Sequence, residues 1–344
     1  IGVLGGLARF GPRRNPGQFA IAADLARQNI QLWVSVKYHL GIVKLRTAEG
    51  RWSGRLQSAL RQGVSHALLS GLPEDSESKG LLQALILGYR RDINSDIYIA
   101  FKKTGLLHFI SLSGMHMGIL AALVWWICRL AGLLKRGRAA VCAMVVILFM
   151  LIVPPRAPSM RAAIICWIFC ASFFFQRRPN SFNALCLAAL VLLMLRPSQV
   201  FDAGWQLSFA SVLGILVLSR PLYEHAVLGL TDMSVPRALA WLLNPVLVRL
   251  GRSALSLLCV GLGAWFGGAG ILLFHFYRIT PLACVWTVVV FPLVAFILVL
   301  GFIKIVLFFC VPWAASSLGV VLSMGAKWLV MMVKGIDCLD CTSI

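Results

Sequence analysis

Acidic residues are scarce. Only 12 Asp and Glu stand against 32 Lys and Arg in 344 residues, leaving a formal net charge of +20. Charge of either sign is scarce too, at 13% of the chain, where soluble domains carry about 25%. That shortage excludes an ordinary soluble domain. Cysteine is missing before Cys128, so the first 127 residues hold no internal disulfide. Eight of the ten cysteines sit in apolar segments, where a thiol behaves as a small hydrophobe. Cys338-x-x-Cys341 is a lone pair, half of a metal site at most. The chain also lacks a Gly-x4-Gly-Lys-Ser/Thr phosphate loop and a His-x-His-x-Asp-His ligand cluster. Those gaps argue against nucleotide hydrolysis and binuclear metal chemistry within this chain. The expectation is therefore no enzymatic activity, no cofactor and no metal. No internal repeat is visible, and the chain opens on Ile1 without a signal-peptide pattern, as a piece of a longer protein would.

What is present is apolar length. Hydrophobic residues make up 60% of the chain, as a polytopic membrane protein requires. Charge-poor stretches run over 104–128, 139–155, 162–176, 179–195, 203–219, 253–277, 279–303 and 305–326. They predict about eight crossing or re-entrant segments, several too short for a full span and therefore broken helices buried in a bundle. Residues 1–103 differ: they hold 15 basic and 7 acidic residues. Ile30, Leu32, Val34 and Val36 alternate with Gln31, Trp33 and Ser35, the pattern of a half-buried strand. Leu56, Leu60, Val64, Ala67 and Leu68 recur at helical spacing, and a second helical pattern follows Pro73-Glu74-Asp75-Ser76. Both read as helices at the membrane surface. The predicted fold is mainly α: a polytopic membrane helix bundle over 104–344, preceded by interfacial helices over 41–103 and a small mixed α/β region over 1–40. Basic residues at 135–138 and 177–178 fall on one side if both intervening segments cross. The positive-inside bias makes that side cytoplasmic.

Polar residues inside the apolar segments carry the functional signal. Residues 104–128 have no formal charge, yet hold His108, Ser111, Ser113, Gly114 and His116. Read as one helix, they place His108, Ser113 and His116 on one half of it, and Gly114 would admit a neighbouring backbone. Such groups cost free energy in hydrocarbon and usually face protein, water or cargo. Mutual satisfaction between helices is the plain alternative. A Ser–His protease dyad fits poorly, because Ser113 and His116 lie side by side on one segment. Arg156 and Arg161 flank Pro154, Pro155 and Pro158, where helix must break. Asp202 and Gln206 share a face at i, i+4, with Ser208 roughly opposite, and Asp202 is placed to cap the helix that follows. Gly261, Gly263, Gly267, Gly268 and Gly270 precede His275 and favour tight helix contact.

These constellations, in this order, resemble the central membrane domain of the ComEC competence family. The residues that carry the resemblance are TGLLHFISLSGMHMGI (104–119), PSMRA (158–162) and DAGWQLSFASVLGI (202–215). RNPGQFAIAADLARQNI (14–30), ALILGYRRDINSDIYIAFKKTGLLH (84–108) and WFGGAGILLFHFYRITPLACVWTVVVFPLV (265–294) extend it. Trp286 departs from it, standing where relatives often carry Asn. The resemblance implies that residues 1–40 end an oligonucleotide-binding barrel. It also implies a bacterial inner-membrane, multi-pass channel for single-stranded transforming DNA. Residues of a C-terminal metallo-β-lactamase-like domain are not seen, so the chain reads as the channel core. On this reading His108, Ser113, Gly114, His116, Arg156, Arg161, Asp202, Gln206 and Ser208 line the DNA path. Arg13, Arg14, Trp33 and Lys37 bind DNA ahead of it. Implied partners are single-stranded DNA, membrane lipid, a DNA receptor, a helicase-like ATPase and a second copy of the chain. A small-molecule or ion transporter is the alternative, since broken helices and buried polar groups also serve solutes. An enzyme acting on lipid-linked substrates and a scaffold with polar glue are the other two.

Overall fold

The structure, a computed structural model, describes residues 2–3, 6–9, 32–35, 42–43, 52–73, 76–90, 92–154, 157–176, 180–232, 245–277, 280 and 282–338. Four short strands come first: β1 (Gly2–Val3), β2 (Gly6–Arg9), β3 (Leu32–Ser35) and β4 (Ile42–Val43). They pair antiparallel as β1–β4 and β2–β3, with Ala8 opposite Trp33. Arg13, Arg14, Lys37 and Arg156 lie outside the described residues.

Helix dominates the rest. Helices α1 (Trp52–Leu69), α2 (Ser76–Leu87), α3 (Ser95–Lys103) and α4 (Leu107–Ile110) lead into α5 (Gly114–Leu130), α6 (Lys135–Ile152), α7 (Ala157–Phe174) and α8 (Ser181–Leu195). A short 3₁₀ turn, Pro197–Phe201, follows, then α9 (Ala203–Asp232), α10 (Pro245–Phe276), α11 (Ala283–Cys310) and α12 (Pro312–Asp337). Among the described residues, four helices are long and apolar enough to cross a membrane: Ala203–Leu228, Arg249–Phe276, Ala283–Cys310 and Pro312–Asp337. Three more apolar helices are shorter: Gly114–Leu130, Pro158–Phe174 and Ser181–Leu195. Many large side chains stay uncovered along them, Met194 at 77% and Trp313 at 79% among them. A fold that leaves so much apolar surface outside needs lipid around it. The chain is a multi-pass membrane protein.

The core has an unexpected composition. Leu68 of α1 and Leu81, Leu82, Leu85 and Ile86 of α2 are wholly buried, in one cluster with Val290, Val294, Ile297 and Leu298 of α11 and Ala326 and Leu329 of α12. The apolar faces of α1 and α2 are thus turned into the protein's own interior. The C-terminal end of α6 is closed by the same elements. Gln57 Nε2 donates to the Leu151 carbonyl, and Arg61 Nε and the Tyr89 hydroxyl donate to the Ile152 carbonyl, each at 2.9 Å. These are carbonyls a helix end leaves without partners, and a cation suits them. Among the described residues, α8, α9 and α10 add nothing to this main cluster.

The α5, α6 and α7 pairings show their directions. Cys142 Sγ donates to the Ala121 carbonyl and Arg138 lies over Trp125, so α6 is antiparallel to α5, while Trp167 Nε1 of α7 donates to the Ala143 carbonyl of α6. Gly114 meets Ala162 and Trp125 meets Phe173, a constant offset that makes α5 and α7 parallel. The α9–α10 pair is held backbone to backbone. A Cβ on Gly214 would collide with the Gly263 carbonyl, and one on Gly267 with the Ala210 carbonyl. The glycine-rich stretch does favour tight contact, through Gly263, Gly267 and Gly268, while Gly270 faces open space.

Three segment boundaries differ from expectation. The KRGR run at 135–138 opens α6 instead of forming a loop. The expected break between 303 and 305 does not occur: α11 runs through Lys304, and the chain turns at Val311 before Pro312. Proline can start a helix at no cost, whereas a lysine need not end one if its ammonium finds acceptors. Lys304 is wholly buried, and its Nζ donates to the carbonyls of Leu68 (2.6 Å) and Ser70 (2.7 Å) at the end of α1. Third, 104–128 is not one helix.

Candidate functional site

Gly105, at φ +75°, ends the α3 region; any Cβ there would press on Thr280 and Ala283 at the start of α11. A single turn, α4, carries His108 and Phe109. Ser111 and Ser113 then take extended backbone, and α5 starts at Gly114. The helical angle expected between His108 and His116 is therefore void, because the chain breaks between them. The cause is a capping box. Ser113 caps α5, and His116 reaches back so that its Nδ1 accepts from the Ser113 N–H at 3.3 Å, with the Ser113 hydroxyl 3.2 Å away. Nδ1 is then the acceptor, which leaves the proton on Nε2. That Nε2 is buried; the ring lies against the Leu85 and Phe109 carbonyls, but Nε2 makes no hydrogen bond of good geometry among the described residues. His108 is different: its imidazole is exposed, with Nδ1 3.2 Å from the Gly105 carbonyl.

Arg161, on the first turns of α7, is 5% exposed. Its Nε and Nη1 have no hydrogen-bond partner, and no carboxylate pairs with it, among the described residues. Its guanidinium carbon lies 5.3 Å from the centre of the Phe209 ring on α9. Trp205 stacks on that same ring, centroids 4.4 Å apart. A ring face offers a cation some compensation, but it does not accept the fork's N–H groups.

Asp202 does cap α9: its Oδ1 accepts from the Gly204 N–H at 3.0 Å. Gln206 does not turn to Asp202. Its Nε2 donates to the Val200 carbonyl at 2.8 Å, and its Oε1 lies 2.9 Å from His275 Nε2 on α10. Ser208 is half-buried on α9. Trp265 Nε1 of α10 donates to the Thr280 carbonyl at 3.1 Å. These contacts close a circuit. Gly114 meets Ala162, Arg161 lies on Phe209, Gln206 meets His275, Trp265 meets Thr280, and Thr280 lies on Gly105. The circuit follows the seam between the main core and the α9–α10 pair. Gly114, Arg161 and Gln206 make its contacts, and His108, Ser113 and His116 lie on the segment between Gly105 and α5 that closes it.

Sequence reasoning passed over three polar groups here. His275 was read as bundle packing, yet it pairs with Gln206 across α9 and α10. Thr280 was not singled out. Lys304 was not singled out either: it falls between the apolar stretches 279–303 and 305–326, yet lies inside one 28-residue helix. Among the described residues no three His, Cys, Asp or Glu gather as a metal site.

The profile of the family described as "Competence protein" matches residues 85–344. The chain belongs to the Competence protein family. Among curated proteins, ComE operon protein 3 of Bacillus subtilis (strain 168) is 28% identical over 287 residues, covering 83% of this chain and 33% of that protein. An uncharacterized protein of Aquifex aeolicus (strain VF5) is 26% identical over 242 residues, or 70% of this chain and 50% of its own length. Competence protein ComA of Neisseria gonorrhoeae is 27% identical over 199 residues, or 55% and 24%. The chain thus spans between a quarter and a half of each of these relatives. No solved structure matches it. All three site constellations fall inside the matched region of this family.

Proposed function

We propose that this chain forms the inner-membrane passage for single-stranded DNA taken up in natural competence. The observation that carries the reading is the buried guanidinium of Arg161, whose Nε and Nη1 find no acceptor among the described residues. An orphaned buried donor costs about 1–3 kcal/mol, more when charged, and such a cost persists where a ligand repays it in use. The ligand these donors fit is an anion that arrives and leaves. A DNA strand brings one phosphate per nucleotide, and single-strand binders pair a basic track with aromatic faces. Arg161 with Phe209 and Trp205 offers both within one cluster. Imidazole, hydroxyl and amide groups donate without a permanent charge, which suits transit over storage. Family membership and the relatives named for competence support the same reading. The strands at the N-terminus, with Trp33 in β3, belong to a barrel that receives DNA outside. Drive comes from a helicase-like ATPase inside, with no hydrolytic step in this chain, and an outer receptor and a second copy complete the assembly.

The test is transformation by the otherwise intact protein. Arg161→Ala and His116→Ala are each expected to lower uptake of labelled DNA at least tenfold per folded molecule in the membrane. Normal transformation by both variants overturns the lining. A solute flux that depends on the chain, with no DNA uptake, identifies a transporter instead.

A further inference from the structure

Away from the seam, α5, α6 and α7 enclose a second feature. A cleft of about 220 Å³ is lined by Ala121, Ala122 and Trp125 of α5, Cys142 of α6, and Phe169, Cys170 and Phe173 of α7. Nothing charged lines it, and it is smaller than the ~300–1,000 Å³ of drug-sized ligand sites. It suits a stretch of hydrocarbon chain. Its position is defined by the helix directions. The end of α5, the start of α6 and the end of α7 share one end of the three-helix unit. That end is aromatic: Trp125, Trp126, Phe173, Phe174 and Phe175 gather there, with Trp126 and Phe175 largely exposed. Aromatic belts of this kind mark the headgroup level of a bilayer.

The rim of the cleft is cationic. Arg138 lies over the Trp125 ring, 5.9 Å from its centre, and is fixed there by its Nε donating to the Leu133 carbonyl at 2.7 Å. Arg129, Lys135 and Arg136 are exposed near the same end of the three-helix unit, at the end of α5 and the start of α6. Between Asp96 and Asp202 the sequence has no acidic residue at all. Nothing within these three helices can neutralise the rim.

We infer that this cleft is a binding site for an anionic phospholipid, its acyl chain between Trp125, Phe169 and Phe173 and its phosphate on Arg138. Charge complementarity selects this occupant: a zwitterionic lipid brings a cation that this rim repels. The inference is independent of the proposed DNA path, which lies at the opposite ends of α5 and α7.

The experiment is native mass spectrometry of the full chain in detergent, titrated with phosphatidylglycerol and, separately, phosphatidylcholine. Cross-linking with a phosphatidylglycerol carrying a diazirine in its tail runs in parallel. We expect phosphatidylglycerol to be retained preferentially and its cross-links to map to α5 and α7 around Trp125 and Phe173. Arg138→Gln is expected to weaken retention about fivefold, the worth of one basic residue near a headgroup. Ala122→Trp, at the mouth, should remove the cross-links while leaving the thermal midpoint near the parent value. Equal retention of the two lipids overturns the site. So does a phosphatidylglycerol preference that both variants keep, or cross-links spread evenly over the exposed helices.

Discussion

At the scale of single residues, Arg161 poses the sharpest question, because its burial is not compensated. Two of its donor nitrogens lack partners, and the ring of Phe209 offers a cation about 0.5–2 kcal/mol. Replacing a buried charge by an apolar side chain of similar size is often neutral or stabilising. Arg161→Met is therefore expected to leave the thermal midpoint unchanged or raised while DNA uptake falls. A drop of several degrees in differential scanning fluorimetry would show that the guanidinium holds the fold. His116 is a mixed case: its Nδ1 serves the α5 cap while its Nε2 makes no well-formed hydrogen bond among the described residues. His116→Ala should thus cost roughly 1 kcal/mol for the lost cap alone. Uptake must therefore be normalised to the amount folded.

At the scale of elements, the α9–α10 contact makes the clearest demand. Gly214, Gly263 and Gly267 let two backbones touch, and no side chain fits between them. Gly267→Leu should wedge the pair apart at a cost of about 1–3 kcal/mol or more. Loss of a cysteine cross-link engineered between Gly268 and Ser211 would report it; an unchanged cross-link would refute the packing. This contact was legible in the sequence, since glycine at that density in an apolar run has few other uses. The Asp202 cap was legible for a similar reason: a carboxylate just before an apolar run suits the positive end of a helix. The break at 111–113 was not. Apolar residues continue across it, and what decides it is the reciprocal bonding of Ser113 with His116, which spacing alone cannot distinguish from side-by-side packing. The fate of Lys304 was hidden likewise. A lone lysine between apolar runs looks like a loop until its acceptors are known, and these lie more than 230 residues earlier. Of the site, the members were readable one by one, but not the circuit, because His275 and Thr280 join it only through tertiary contacts.

At the scale of the whole molecule, one block of helices encloses a core while α9 and α10 stand against its side. Helices α1 and α2 belong to the block through α11 and α12, so the earliest helices rest on the latest. Lys304 is the fastening point. Lys304→Met keeps the length of the side chain but strands the Leu68 and Ser70 carbonyls, each worth about 1–3 kcal/mol when buried unpaired. Limited proteolysis of that variant should cut between Trp52 and Leu72 well before other sites. A cleavage pattern like the parent's would show that the ammonium is dispensable. Timing follows from this fastening. A ribosome releases α1 long before residue 304 exists, so the first helices must wait, unlatched, while eight or more others are inserted. A chain stalled before α11 would leave the wholly buried faces of Leu81, Leu82 and Leu85 without a partner, an obvious target for quality-control proteases.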